Sequence, residues 1–336
     1  MNYVKEDIIR VLSGKKLSFW EFLSAQQYSL KEVVNELKKM LADKVVIWDE
    51  GEKKLRLQEA SPPCPQDTCP ACKGKGTIIR GRFQDALDKF SRITINRPIP
   101  IPEFDQGYIL PHDLAQKAIL MSERGDLDNK DILILGDDDL FSLYLALLGT
   151  ASRIVVLEID ERLLKFLTDW QKKENLPLEC RACDLSNPLP PELLSSFDVF
   201  ISEPPESLEG LKIFFSRGRE GLREEGVGYV GLTRLESSIR KWKAIELWLL
   251  NNDFVITDIF KDFSRYAETK TDIEKFYPHF RLLQELPFSP GPVDFDWYTS
   301  YLLRIVKLEK DQGEFASDLY MDEETWTTPA KFKHEG

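Results

Sequence analysis

DILILGDDDLFSLYLALLGTASRIVVLEIDERLLKFLTDWQKKEN, residues 131–175, alternates twice between an apolar run and a helical pattern. The runs ILIL and IVVL have no polar face, as expected of strands buried on both sides of a sheet. DLFSLYLALLG (139–149) and ERLLKFLTDWQKKEN (161–175) repeat their apolar residues at helical spacing, the first ending at Gly149. Strand–helix units of this length need a parallel sheet with helices on both faces. The alternation continues downstream. LECRACDL (178–185), FDVFISEPPE (197–206), GVGYVGLT (226–233) and FVITDIFKDF (254–263) read as strands, with helices over 208–222 and 236–253. DWYTSYLLRIVKLE (296–309) supplies a last strand that closes one edge in antiparallel fashion. The expected fold class is therefore α/β, a Rossmann-like doubly wound sheet. Upstream, 83–94 and 110–127 read as further helices.

The N-terminal residues follow another pattern. Short helices are expected over 3–12, 18–25 and 29–44, the third capped by Ser29 with Glu32 three residues on. Residues 45–58 alternate, turn at Glu50-Gly51-Glu52 and alternate again, which is a hairpin. Three helices and a hairpin make a winged-helix-like α+β domain. Its third helix sets Lys31, Lys38, Lys39 and Lys44 against Glu32, Glu36 and Asp43. Residues 1–58 carry a net charge of only +2, within a chain of −12. That balance favours an architectural or dimerisation role over nucleic-acid binding. The expected organisation is 1–58 as this domain, 59–106 as a Cys- and Pro-containing linker, 107–310 as the sheet domain and 311–336 as an acidic tail. With Tyr320 and Trp326 among its acids, the tail reads either as a lid over a cationic substrate or as plain surface.

In the linker, Cys64, Cys69 and Cys72 resemble half of a zinc ribbon. A structural site needs four ligands, and the next Cys-x-x-Cys, Cys180 and Cys183, lies far downstream, so a metal-free knuckle is the favoured reading. Five cysteines, no apolar run near the ~18 residues of a membrane span and no signal-like start lead us to expect a cytoplasmic protein without a disulfide framework. With 42% hydrophobic and 30% charged residues the chain can bury a sizeable core. Its acidity points to cationic ligands rather than nucleic acid.

Ligands of doubly wound sheets bind at the carboxyl ends of the strands. The first strand ends in Gly136-Asp137-Asp138-Asp139, where a phosphate-binding turn would carry glycines. Three carboxylates there repel a pyrophosphate and attract a cation. The second strand ends in Glu158, 22 residues past Gly136, the place of an acid that accepts from a ribose diol. Asp184, at the end of the third, is placed to accept from an adenine amino group, or else makes an Asx turn. The fourth ends in Glu203-Pro204-Pro205-Glu206. In a methyltransferase-like loop the last of these would be an aromatic that stacks a base; a second carboxylate suits a polyamine better.

With ILILGDDDL, VVLEIDERL, EPPE, GLTRLESSIRKW and WYTSYLLRI in view, the chain resembles the N4-bis(aminopropyl)spermidine synthases, the branched-chain polyamine synthase family of thermophiles, across about residues 105–310. The family mostly has Asp where this chain has Glu203, which keeps the charge and adds a methylene. The resemblance extends to linear spermidine synthases, whose turn acid, loop acids and ribose-binding Glu fall on Asp139, on Glu203 and Glu206, and on Glu158. It implies transfer of aminopropyl groups from decarboxylated S-adenosylmethionine to the secondary amine of spermidine, with methylthioadenosine leaving and a second transfer giving a quaternary ammonium. It implies a homodimer and no required metal or redox cofactor.

The expected roles are these. Glu203 is the general base, since the acceptor amine must lose a proton before attack. Asp137 and Asp138 hold the acceptor's ammonium groups, Asp138 being counted with Glu203 as catalytic, and Asp139 holds the donor's. Glu206 lines the polyamine pocket, while Gly136, Glu158 and Asp184 hold the nucleoside. Two alternatives remain open: an S-adenosylmethionine-dependent methyltransferase acting on an amine or nucleic acid, and a winged-helix nucleic-acid-binding regulator.

Overall fold

In the computed structural model, residues 2–59, 62, 69, 72, 74–268 and 281–309 are described. The N-terminal module contains α1 (Tyr3–Leu12), α2 (Phe19–Ser24), α3 (Leu30–Ala42) and the hairpin β1 (Val46–Asp49) and β2 (Lys54–Leu57). Both expected cap signals operate: Ser18 with Glu21 and Ser29 with Glu32 form reciprocal capping boxes. Asp49 turns the hairpin by accepting from the amides of Gly51 and Glu52, each at 2.9 Å. The apolar stripe of α3, Val33, Val34, Leu37 and Met40, is buried.

The sheet that follows has seven strands in the order β5-β4-β3-β6-β7-β9-β8. These are β3 (Asp131–Leu135), β4 (Arg153–Glu158), β5 (Leu178–Ala182), β6 (Phe197–Ser202), β7 (Leu222–Leu232), β8 (Phe254–Arg265) and β9 (Thr299–Lys307). Strands β3 to β7 pair in parallel, and β9 inserts antiparallel between β7 and β8. The chain direction of the winding reverses between β3 and β6, so their carboxyl ends open a crevice there. Helices α4 (Arg82–Ile93), α5 (Pro111–Glu123), α6 (Phe141–Leu148) and α7 (Glu161–Glu174) cover one face, and α8 (Leu208–Gly221) and α9 (Ile239–Leu250) the other. Helix α8 leads into β7 with no loop between them, which lengthens the strand beyond the expected 226–233.

Two expectations need correction. The segment 59–106 is not all linker: α4 seats Ala86, Leu87 and the fully buried Phe90 in the core of the sheet domain. Truncating Phe90 to alanine would cost roughly 3–5 kcal/mol. The N-terminal module does not stand apart either. Trp20, Leu23, Val33 and Leu37 share one apolar cluster with Leu235, Leu283, Phe288 and Trp297 from the sheet domain. The Leu30 amide donates to the Leu235 carbonyl at 2.7 Å, and Trp20 Nε1 to the Gly291 carbonyl at 3.1 Å. The helix expected to read nucleic acid, if any did, spends its lysines elsewhere: Lys38 pairs with Glu285 and Lys39 with Glu36. A short α10 (Arg281–Gln284) completes the described elements. The acidic tail and Cys64 lie outside the described residues.

Candidate active site

Gly136 turns the chain at the end of β3 with a φ of +70°, a left-handed conformation that a side chain would strain. The Leu140 amide closes the turn onto the Asp137 carbonyl at 3.0 Å, with Leu140 itself at a φ of 59°. The turn is braced from outside by Arg97, whose guanidinium donates to the carbonyls of Asp138 and Asp139 and lies 3.8 Å from the Tyr108 ring.

The three aspartates then part company. Asp137 points inward, where it accepts from the Ser142 hydroxyl and amide at the start of α6. It lines neither cleft, which corrects its expected contact with the acceptor. Burial pushes its carboxyl up to about 8, against the pull of the Ser142 bonds. Asp139 also turns inward, accepting from the Ile109 amide at 2.6 Å, and lines neither cleft, which corrects its expected hold on the donor. Burial, then the nearby Glu203, raise it to about 6 against the pull of Lys117. Asp138 faces the crevice. One of its oxygens accepts from the Gly107 amide at 2.9 Å, and burial with the Asp139 charge holds its carboxyl well above the usual range.

Two clefts meet at this point. One, of ≈ 490 Å³, is built on the ends of β3, β4 and β5 and is lined by Gly136, Glu158, Cys183, Asp184 and Phe214. Glu158 is held by three amides, those of Asp137, Ile159 and Asp160, at 2.8, 2.8 and 2.9 Å. Asp184 forms the Asx turn, accepting from the Ser186 amide at 2.9 Å, and lines the cleft as well. The other cleft, of ≈ 560 Å³, carries six carboxylates, Asp105, Asp138, Glu203, Glu206, Glu236 and Glu268, against Lys31, Lys241 and Arg281. Its apolar walls are Trp20, Tyr266, Trp297 and Tyr298, so the N-terminal module supplies part of it. The two clefts share Asp105, Gln106, Asp138 and Glu203.

Glu203 and Glu206, spaced by the two prolines, do different things. The Glu206 carboxylate pairs with no cation among the described residues, while its carbonyl takes Lys241. Burial, then Glu236, hold its carboxyl well above normal. Burial raises Glu236 and Asp105 too, Glu236 despite a 2.9 Å bond from the Tyr298 hydroxyl. Glu203 is paired: Oε1 accepts from Lys117 Nζ at 2.6 Å and Oε2 from the Tyr266 hydroxyl at 2.8 Å. Its carboxylate lies over Gly231 so closely that a Cβ there would sit 1.6 Å from Oε2. Burial keeps the Tyr266 and Tyr298 phenols far above their ordinary range, so both act as donors.

Sequence reasoning missed Lys117, Tyr266, Tyr298, Glu236 and Asp105. One signal existed: Lys117 stands on the apolar stripe of α5 with Leu114, Ala118 and Met121, where a lysine is out of place unless paired. Cys69 and Cys72 are free, and backbone amides of Gly76, Gly74 and Lys75 pull the Cys72 thiol down. Among the described residues, no group of three or more His, Cys, Asp or Glu side chains is arranged to hold a metal.

Buried, mutually repelling carboxylates suit a polycation, and the cleft beside them stands on the strand ends where such sheets take nucleosides. Comparison with known proteins agrees. Residues 85–327 match the family described as the branched-chain polyamine synthase A C-terminal domain. The chain is 39% identical to the N(4)-bis(aminopropyl)spermidine synthase of Methanocaldococcus jannaschii, over 77% of this chain and 75% of that one. It is 37% identical to the enzyme of the same name from Thermus thermophilus, over 84% of each. The crystal structure of a branched-chain polyamine synthase mutein from Thermus thermophilus, in complex with N4-aminopropylspermidine and 5'-methylthioadenosine, superposes with a TM-score of 0.82 at 33% identity, covering 97% of this chain and 93% of that one.

Proposed function

The chain belongs to the branched-chain polyamine synthase family and is an aminopropyltransferase of branched polyamine synthesis; we propose that its two clefts divide the labour, the one on β3–β5 taking the donor nucleoside and the acidic one taking spermidine or a similar polyamine. The observation that carries this reading is the pair of clefts meeting at Asp138 and Glu203. A donor sulfonium at the mouth of one cleft and an acceptor nitrogen in the other would face each other there, which is the proximity an in-line displacement needs.

The donor is decarboxylated S-adenosylmethionine. Glu158, fixed by its three amides, accepts from the ribose hydroxyls, and Asp184 sits where the base would lie. A donor retaining its carboxylate would push that anion toward Asp138 and Asp105, so the acids select the decarboxylated form. In the transfer, the lone pair of the secondary amine attacks the aminopropyl carbon on sulfur. The C–S bonding pair goes to sulfur, and neutral methylthioadenosine leaves. The new tertiary ammonium gives up its proton, and the same attack by the freed tertiary amine yields the quaternary product, which has no proton to lose.

Sequence reasoning assigned the base to Glu203; Asp138 is the better candidate. Both Glu203 oxygens already accept a bond, one from a lysine, whereas Asp138 takes one amide on one oxygen, keeps the other toward the junction, and has its carboxyl raised by burial and the Asp139 charge. The unpaired acids Glu206, Glu236 and Asp105 hold the distal ammonium groups. On this reading the N-terminal module is a wall of the acceptor cleft, through Trp20, Leu23 and Leu30, rather than a reader of nucleic acid.

Mass spectrometry of products from the purified protein, spermidine and the decarboxylated donor tests this. Species heavier than spermidine by one and then two aminopropyl groups, with methylthioadenosine released in step, are expected. Methylated amine from the carboxylated donor, with spermidine otherwise untouched, overturns it.

A further inference from the structure

An aminopropyl acceptor poses a conflict. Carboxylates bind its ammonium groups, yet each carboxylate near the attacking nitrogen also favours the protonated, unreactive form. Among the described residues, the cleft carboxylates Asp105, Asp138, Glu206 and Glu236 form no ion pair with a cationic side chain, whereas Glu203, at the junction, does. Its partner Lys117 stands on the buried apolar stripe of α5 and is itself wholly buried. Its ammonium also lies 5.3 Å from the Phe141 ring. Tyr266 secures the second oxygen, and Gly231 makes the room. A buried pair held by two donors and seated on a glycine is built, not incidental.

We infer that Lys117 is a positioning residue for the transfer: it pairs with Glu203 before substrate arrives, so that the nitrogen delivered to the junction meets a neutralised carboxylate instead of a bare anion. The inference rests on the aminopropyl-transfer reading above. It explains why the reactive nitrogen is an internal one. The distal nitrogens of the polyamine meet unpaired acids and stay charged and bound, while the nitrogen beside Glu203 loses the main reason to keep its proton. The charged or titratable groups facing Glu203 are Lys117 from α5, Tyr266 after β8, Asp138 and Asp139 from the β3–α6 turn and Glu206 from its own loop. Among the described residues facing it, Lys117 is the cation.

The test is the transfer rate against pH for the full-length protein with spermidine and the decarboxylated donor. Lys117→Met exposes the Glu203 charge, so kcat near neutrality should fall about tenfold or more, since one nearby charge moves a pKa by a unit or more. The loss should shrink as pH rises, and the acceptor KM should hold or fall because the cleft has become more anionic. Lys117→Arg should keep the wild-type profile. Removing one partner of a buried pair can unfold a protein, so Lys117→Met with Glu203→Gln provides the second arm. Having no charge at either position, it should titrate where wild type does, at whatever rate. A uniform kcat loss at every pH in the single variant, an unmoved profile, or a displaced profile in the double variant overturns the inference. Failure of wild type to transfer aminopropyl groups at all would instead sink the reading beneath it.

Discussion

The donor cleft and the acceptor cleft are neighbours of similar size, built in opposite ways. The donor cleft stands on the ends of three adjacent parallel strands, with Gly136, Glu158 and Asp184 one strand apart. Glu158 and Asp184 are held there by backbone amides. The acceptor cleft draws on residues near 20–31, 105–107, 203–206, 235–241, 266–268 and 281–298, which no single motif joins. Its acids are mostly unpaired and strained by mutual repulsion. On the proposed reading the first is set by the backbone before its ligand arrives, and the second would be completed electrostatically by the cations it binds.

Asp138→Asn should break the acceptor side most severely. Turnover should fall on the order of 10²–10⁴-fold, the usual contribution of a general base, with methylthioadenosine affinity unchanged by calorimetry. A variant that loses methylthioadenosine binding and keeps turnover would erase the distinction between the clefts. Gly231→Ala comes next. The added methyl displaces the Glu203 carboxylate from Lys117 and Tyr266, and kcat should drop about 10- to 100-fold, as for a misplaced group at a reacting centre, while the donor KM holds.

Glu158→Ala probes the other side. It should weaken methylthioadenosine binding by about 1.5–3 kcal/mol, the worth of a hydrogen bond to a charged group, and leave the acceptor KM in place. If acceptor affinity moves instead, the ribose assignment is wrong.

The smallest effect is on stability. Carboxyls raised in the folded state, such as Asp139 at about 6 and Asp137 at about 8, keep protons that the unfolded chain has already lost. Their contribution is therefore greatest below pH 4 and is lost as pH rises toward 8. The melting temperature without ligand should decline over that window, and added spermidine should offset the decline. Asp137→Asn, which keeps an acceptor for Ser142, should flatten it. A melting temperature that climbs steadily to pH 8 would contradict the inward placement of these acids.

Much of this was legible in the residues. Strands without a polar face, caps three residues ahead of an acid, and carboxylates at strand ends are local patterns, because the strand and helix repeats report on a few neighbouring positions. Hence Gly136, Glu158, Asp184 and the Glu203–Glu206 loop could be placed in advance. The aspartate run could not be divided, since whether a turn residue faces inward or outward depends on Leu140 and on the brace from Arg97, forty residues upstream.

From sequence alone came the doubly wound sheet, the crevice at its strand ends, the preference for a cation over a phosphate, and the three-helix module with its hairpin. Tertiary structure alone decided that this module walls one cleft, that α4 belongs to the core, and that of its run only Asp138 lines the clefts. It also decided that Glu203, in a loop, is already paired with a lysine from α5. Charge and periodicity are written into adjacent residues, whereas the pairing of two buried charges depends on which helix packs over which strand, and that is settled only when the whole core closes.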